Sequence, residues 1–533
     1  METTSKLFLM AMVATFDRAV MTASTGAAEF PSSDVTFNEH VARIVHDKCT
    51  RCHRPGQSGP FSLITFDDVS SRAETIRAVL DAEYMPPWKP ISTDVVYTND
   101  RRLAEEEKTL FRRWLDAGCP EGATAAAPTP PEYSTEWTLG EPDLVIEMPE
   151  PFSVPADGPD VYRSFVFPAD LPEDKWVSAI EFRPTARGAV HHALFFVDVG
   201  GAARGRRDGD GQPGFRGMSF LRRGGNALKS MPENLARGLG GYVPGAMPNR
   251  LPGDLARLLP AHSDIIVQTH FHPTGKPETE QARLGLYFAS QPPKKRLVPI
   301  QVPALFGIGA GIDVPAGVNN YRVEDSYVLP VDVMAYEIGG HAHYICREMA
   351  MTATLPDGTE RHLLKIDDWD LDWQDQYQFG APIALPAGTK LTTVLVYDNS
   401  SANPENPYQP PRRIQWGRES TDEMGSVTLL VTAADEADRP RIESDVRDRA
   451  QNSIRQRIRS QVRRFGGFGA EPFNGALVKL LDRNRDGSLQ QQELPARGRD
   501  RLLDLMDSNG DDTIDAQELE AGRQLIRDLT REE

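Results

Sequence analysis

The sequence predicts a multidomain fold: an α-helical unit, two tandem antiparallel β-sandwich (jelly-roll) domains, and a small α-helical unit at the end. Three observations carry this expectation. The chain has 533 residues, too many for a single hydrophobic core, so several domains are expected. From about Tyr162 to Ala434, short apolar segments of period two, among them SFVFPA, VSAIEFRP, ALFFVDV and DIIVQTHF, alternate with Pro and Gly turns. On either side the spacing turns helical, in VTFNEHVARIVHDK and EEEKTLFRRWLDAG before this region and in IESDVRDRAQNSIRQRI after it.

Composition narrows the function classes. A 39% hydrophobic and 8% aromatic content suits packed domains, and 42 Pro with 43 Gly favour turns over long helices. The formal charge of −18 argues against a nucleic-acid partner, which would need a dominant basic footprint. Four cysteines, Cys49, Cys52, Cys119 and Cys346, are too few for a disulfide framework. No stretch approaches the roughly 20 consecutive apolar residues of a spanning helix, so no transmembrane segment is expected.

Residues 1–28 read as a signal peptide. Lys6 precedes the apolar run LFLMAMVATF, and small residues follow in STGAAEF. Asp17 and Arg18 interrupt that pattern, and a disordered tail ahead of the real start is the alternative. Residues 34–125 form the first unit, marked by Cys49-Thr50-Arg51-Cys52-His53. Two thiols three apart followed by His is the spacing that attaches haem covalently while the histidine ligates iron. A zinc site would need further Cys or His at similar spacing, and none follows. Met85, in a turn shaped by Pro86 and Pro87, is the candidate second axial ligand. The unit resembles a class I c-type cytochrome domain, which implies haem c and export from the cytoplasm to the periplasm or beyond the cell, in a bacterium.

The Ala/Pro/Thr-rich stretch at 126–160 reads as a linker. The two β-domains are expected at 161–295 and 296–434. The Gly/Arg/Pro-rich segment 202–253 is either a substrate-side loop or an insertion. Residues 435–470 read as a charged helical linker, a solvated spacer more than an interaction face. Residues 471–533 hold two twelve-residue loops of the EF-hand pattern, so calcium is expected on Asp482, Asn484, Asp486 and Glu493 in the first. The second offers Asp507, Asn509, Asp511, Asp515 and Glu518, but Asp512 stands where the sharp-turn Gly belongs.

The chemistry concentrates in the β region. Of 11 histidines, six form three clusters inside apolar β segments: His191 with His192, His270 with His272, and His341 with His343. Residues i and i+2 of a strand leave the same face, so His341 and His343 can converge on one ion, as can His270 and His272. Adjacent His191 and His192 can do so only where the strand ends or bulges. Met424 follows in ESTDEM. Imidazole together with thioether points to copper, since zinc rarely accepts a thioether.

The motifs VHHALFF, VQTHFHPTG, VMAYEIGGHAHYI and ESTDEM occur in the order found in the copper type II, ascorbate-dependent monooxygenases, the group of peptidylglycine alpha-hydroxylating and dopamine beta-monooxygenases. About half of the chain resembles that family. The resemblance implies two jelly rolls facing a solvent-filled cleft, each with one copper ion. It places the electron-transfer copper on His191, His192 and His270, leaving His272 as an outer or alternative ligand. It places the oxygen-binding, catalytic copper on His341, His343 and Met424. The implied reaction hydroxylates a C–H bond of a small extracytoplasmic substrate with O₂. An external electron donor, ascorbate or another small reductant, is implied, and the haem is expected to relay electrons to the coppers. A non-catalytic copper and haem electron-transfer protein is the alternative, and a surface-binding module with structural histidines is a third reading. Cys346, near His343, is a ligand, a redox liability or, the favoured reading, a small buried residue.

Overall fold

The computed structural model describes residues 35–465 except 56, 58, 92, 93, 99, 134–136, 202, 209, 217–237, 245, 246 and 418, then 481–494 and scattered positions from 499 to 524. The expected signal peptide, residues 1–28, lies outside them, as do Asn509 and Asp511 of the second acidic loop. Over the described residues the chain is mostly antiparallel β-sheet with few helices. None of these helices is long and apolar enough to cross a membrane.

The first β-unit pairs two sheets. One orders Leu144–Glu147, Arg283–Phe288, Lys175–Arg183 and Arg257–Leu259; the other orders Phe215–Arg216, Val161–Phe167, Asp264–Phe271, Val190–Asp198 and Gly238–Tyr242. Ile146, Val177 and Leu284 of the first meet Phe165, Phe195 and Val267 of the second in one core. Asp264–Phe271 is buried along its whole length because it is central, with a second apolar cluster of Phe196, Phe215 and Ile266 on its outer face. The second unit repeats the plan. Val298–Val302, Gly425–Ala433, Val333–Ala342 and Gln376–Leu385 form one sheet, and Tyr321–Val328, Lys390–Tyr397, Cys346–Thr354 and Glu360–Ile366 the other. Burial alternates along Lys390–Tyr397 as a period of two requires, and Ile300, Val333 and Leu429 pack against Val323, Met351 and Leu395.

The N-terminal helices Ala42–Lys48, Ala73–Asp81 and Glu105–Asp116 enclose a separate core of Phe37, Val41, Val45, Phe111 and Trp114. Near the other end, Leu489–Gln490 pairs antiparallel with Thr513–Ile514 over a small core that includes Leu494, Met506 and Leu519.

Two boundary expectations are corrected. The 126–160 linker contains the strands Leu144–Glu147 and Phe152–Val154, whose Ile146 and Phe152 enter the first β core. Alternating apolar residues in LVIE outweigh the Pro-rich composition around them. The 435–470 spacer is the helix Arg439–Phe465, and it is not solvated all round. Ile442, Ala450 and Ile454 are buried along one stripe, Ile442 joins the second β core, and Arg449 Nη2 bonds Asp325 at 2.5 Å.

Candidate metal centre

The first histidine group is built across neighbouring strands. His192 and Tyr162 both stand opposite His270 in the register, one on each side. The register slips between Val190 and His192, and this bulge turns His191 to the same side as its neighbour. His191 Nδ1 lies 3.2 Å from His192 Nδ1, and His270 Nδ1 lies 3.4 Å from it. One nitrogen from each ring falls within 4.8 Å of the others, a spacing that could hold a metal ion. The outward nitrogens are held by carboxylates: His191 Nε2–H donates to Asp372 Oδ1 at 2.6 Å and His270 Nε2–H to Asp160 Oδ2 at 2.7 Å. That arrangement leaves Nδ1 of both rings as a lone pair facing inward, the pattern of a carboxylate–histidine–metal site. Tyr162 stacks on His270 with centroids 4.1 Å apart. Burial pushes His192 well below the ordinary imidazole range, with the neighbouring histidines adding to the effect. Burial likewise lowers His270 despite the bond to Asp160.

His272 stays outside this group. Its side chain is 66% exposed, and its Nδ1 donates to Asp160 Oδ1 at 2.9 Å. It therefore shares a carboxylate with His270 without sharing the cluster. Asp160 itself is held well below the usual carboxylate range: burial works to raise it, but hydrogen bonds from His270, His272 and Tyr344 prevail.

The second group arises from strand pairing. His341 stands opposite Ser426 and Ala342 opposite Gly425, so running the antiparallel register one step further brings His343 beside Met424. His341 Nε2 lies 3.2 Å from Met424 Sδ, while its Nδ1–H donates to Gln374 Oε1 at 2.6 Å. His343 Nδ1–H donates to the Asp422 carbonyl at 3.3 Å. His341 thus spends Nδ1 on the protein and turns Nε2 to Met424, while the His343 ring also meets the Glu419 carbonyl. Burial brings His341 down to about 4 and His343 to about 3, so both are neutral near pH 7.

Glu423 ties this group together. Its Oε1 accepts from the backbone N–H of His343 at 2.6 Å and of Met424 at 2.9 Å, and its Oε2 accepts from Ile345 N–H at 3.2 Å. Burial pushes its carboxyl up to about 8 against those bonds. The flanking glycines are required for space: a Cβ on Gly340 would sit 2.0 Å from Met349 Sδ, and one on Gly425 2.2 Å from Tyr397 Oη. Cys346 is buried in the second core, with Sγ donating to the Glu348 carbonyl at 3.6 Å, and burial raises its thiol well above the ordinary range.

The two groups face each other. Tyr344, one residue past His343, donates its hydroxyl to Asp160 Oδ2 of the first unit at 2.9 Å, and Asp372 of the second unit holds His191. His192 lies within electrostatic reach of His341 and His343. The solvent-filled cleft expected between the units is thus crossed by polar contacts.

Comparison with known proteins leaves this geometry to speak for itself. No protein-family model matches the chain, and no curated relative matches it. Solved structures that match in part include infectious bursal disease virus, Gx strain, at 10% identity over 58% of this chain and 76% of that one, TM-score 0.16. The major capsid protein P2 of bacteriophage PM2 matches at 10% identity over 53% of this chain and 97% of that one, TM-score 0.20. A recombinant peptide N-glycanase F matches at 10% identity over 54% of this chain and 96% of that one, TM-score 0.20. At such scores the likeness establishes neither a shared topology nor a chemistry.

The Cys49–His53 turn closes the first α-helix, with Cys52 and His53 N–H both donating to the Cys49 carbonyl. Neither Cys49 nor Cys52 is in a disulfide, and burial pushes Cys49 up to about 12, with Cys52 adding to it. His53 Nδ1–H donates to the Phe61 carbonyl at 3.2 Å, which leaves Nε2 free to ligate. Gly59 packs so close that a Cβ there would meet the Cys52 carbonyl at 2.8 Å. The two thiols and His53 Nε2 are the donor set a covalent haem would use. Met85 lies in the turn after Ala73–Asp81, its N–H donating to the Val79 carbonyl, and no contact ties its sulfur to His53.

In the first acidic loop, Glu493 accepts from Arg483, Asn484 and Gln490 N–H, and Gly487 adopts φ +86° at the sharp turn. Asp482 Oδ1 is buried with no partner among the described residues, while its Oδ2 accepts from Gly487 N–H at 3.0 Å. In the second loop Asp507 and Glu518 are buried, and Asp515 Oδ1 accepts from Glu518 N–H at 2.8 Å. Sequence reasoning missed Asp160, Asp372, Gln374 and Glu423. Only Glu423 carried a signal, as part of ESTDEM; the others act through tertiary contacts that no spacing announces.

Proposed function

We propose that the protein is a copper-dependent monooxygenase that hydroxylates a C–H bond of a small extracytoplasmic substrate with O₂, its electrons relayed by a covalently attached haem c. One observation carries this reading: two facing histidine groups turn unprotonated nitrogens inward, and the second adds the Met424 thioether. His191, His192 and His270 would hold one copper, and His341, His343 and Met424 the other. Copper so bound supplies one-electron redox chemistry and oxygen activation, and thioether ligation favours its reduced state.

The chain's own residues do the positioning. Asp160 and Asp372 set the tautomer of the first group, and Gln374 and the Asp422 carbonyl set that of the second. Glu423 fixes the backbone between His343 and Met424. Under the same reading the N-terminal unit is a cytochrome domain, the β-units are jelly rolls of the monooxygenase family, and the acidic loops bind calcium. A signal-like start and the haem motif support a periplasmic or secreted location.

The test is oxygen uptake by copper-loaded protein across a panel of small extracellular molecules, with mass spectrometry of the products. A gain of one oxygen atom is expected, and Met424→Ile is expected to abolish it while haem content stays intact. Stoichiometric copper and reducible haem without oxygen uptake on any substrate would establish the electron-transfer alternative instead.

A further inference from the structure

The chain leaving Met85 does not return directly to the helical unit. The described residues between Pro86 and Arg101 lie against the second β-unit as a strap. Ile91 N–H donates to the Lys365 carbonyl at 2.9 Å, Thr98 N–H to Gln378 O at 2.8 Å, and Gly380 N–H to Val96 O at 2.7 Å. Tyr97 Oη–H donates to Leu363 O at 2.5 Å, and its ring stacks on Phe379 at 5.8 Å. Trp88 meets Tyr377 edge-on at 5.2 Å.

The strap ends on Arg101, whose Nε–H donates to the Pro87 carbonyl at 2.9 Å and whose Nη2 pairs with Asp375 Oδ2 at 2.7 Å. The two side chains are only 15% and 13% exposed. A pair so desolvated contributes little net stability, but it tolerates only one register between the surfaces it joins. Cys52 lies within electrostatic reach of Arg101. Asp375 directly follows Gln374, which bonds His341 Nδ1 at 2.6 Å, and lies three positions beyond Asp372, which bonds His191 Nε2 at 2.6 Å. One short segment therefore touches both histidine groups and the strap from the Cys49–His53 unit.

We propose that Asp372–Asp375 is the electron port of this protein. The route runs from Pro87 through Arg101 and Asp375 to Gln374 and His341, with a branch through Asp372 to His191. The proposal rests on the haem and copper reading above and adds the path between them. With both groups bound, the step would balance as a one-electron exchange, a ferrous haem giving the electron and a cupric ion taking it, with no bond made or broken; the chain's residues supply only the path. Electronic coupling falls off more slowly along covalent and hydrogen bonds than across van der Waals gaps, and this chain of short contacts offers the former.

The experiment uses full-length protein carrying haem and Cu(II). Flash reduction of the haem under anaerobic conditions is followed at its absorption band as the electron moves on. Arg101→Met cuts the route without touching a histidine and is expected to slow haem reoxidation by about tenfold or more. Copper content, the cupric electron paramagnetic resonance spectrum and haem content are expected to stay as in the wild type. Tyr97→Phe loosens the strap without cutting the route and is expected to leave the rate unchanged. An unchanged rate in Arg101→Met, or equal slowing in Tyr97→Phe, overturns the port. Wild-type protein that lacks covalent haem or copper overturns the parent reading, and the port with it.

Discussion

Carboxylates do most of the positioning at the residue scale, and they divide by what answers them. Asp160 is met by two imidazoles and a phenol and stays ionised, whereas Glu280 is met only by backbone and hydroxyl donors. Its Oε2 accepts from Thr185 and Ala186, while Oε1 is buried without a partner, and burial raises the carboxyl to about 7. That value exceeds the 4.5 of an unperturbed glutamate, so the folded chain retains a proton that the unfolded chain has released. The stability linked to this proton is complete below the unfolded value and is lost as pH rises through about 7. Glu280→Gln, neutral at every pH, is expected to flatten the decline of the thermal midpoint across that window. Parallel pH profiles for variant and wild type would show that Glu280 is not the group involved.

Single irregularities decide function at the scale of elements. The slip between Val190 and His192 brings two successive side chains to one side, which a regular strand cannot do. The helix Arg439–Phe465 reads as solvated because most of its positions are charged or polar, yet Ile442, Val446, Ala450 and Ile454 follow one another at four-residue intervals and dock on the second β-unit. Ile442→Ala, at a fully buried position, is expected to cost about 2–5 kcal/mol by chemical denaturation. A loss no larger than that of an exposed-face substitution such as Arg447→Ala would show that the stripe does not bear on stability.

The whole molecule is joined by segments that pass between units. Asp372 and Asp160 hold histidines of the first group from the second unit and from the segment before Val161, and the strap from Pro86 to Arg101 fastens the N-terminal unit to the second β-unit. Tyr97→Ala removes a buried ring and its hydroxyl bond from that seam and is expected to cost about 3–5 kcal/mol. Limited proteolysis is expected to cut the variant first within the strap and release the N-terminal unit. Unaltered cleavage would show that the other strap contacts suffice.

The sequence by itself determined the period-two character of the β-units, the helices before them and the helix Arg439–Phe465 after them, the three histidine clusters with Met424, and the Cys49–His53 turn. These are local patterns, because spacing along a strand or helix dictates which side chains share a face. It also left His270 and His272 equivalent, since both face the same way from one strand. The family resemblance favoured His270, and the tertiary structure gives the physical separation, burying His270 among His191, His192 and Tyr162 and leaving His272 at the surface. The carboxylates and amide that orient the rings, Asp160, Asp372 and Gln374, were likewise decided in three dimensions. They come from loops and the short 3-10 turn Leu371–Trp373, where no periodicity constrains the residue, and they reach their partners across 33 to 181 positions of chain.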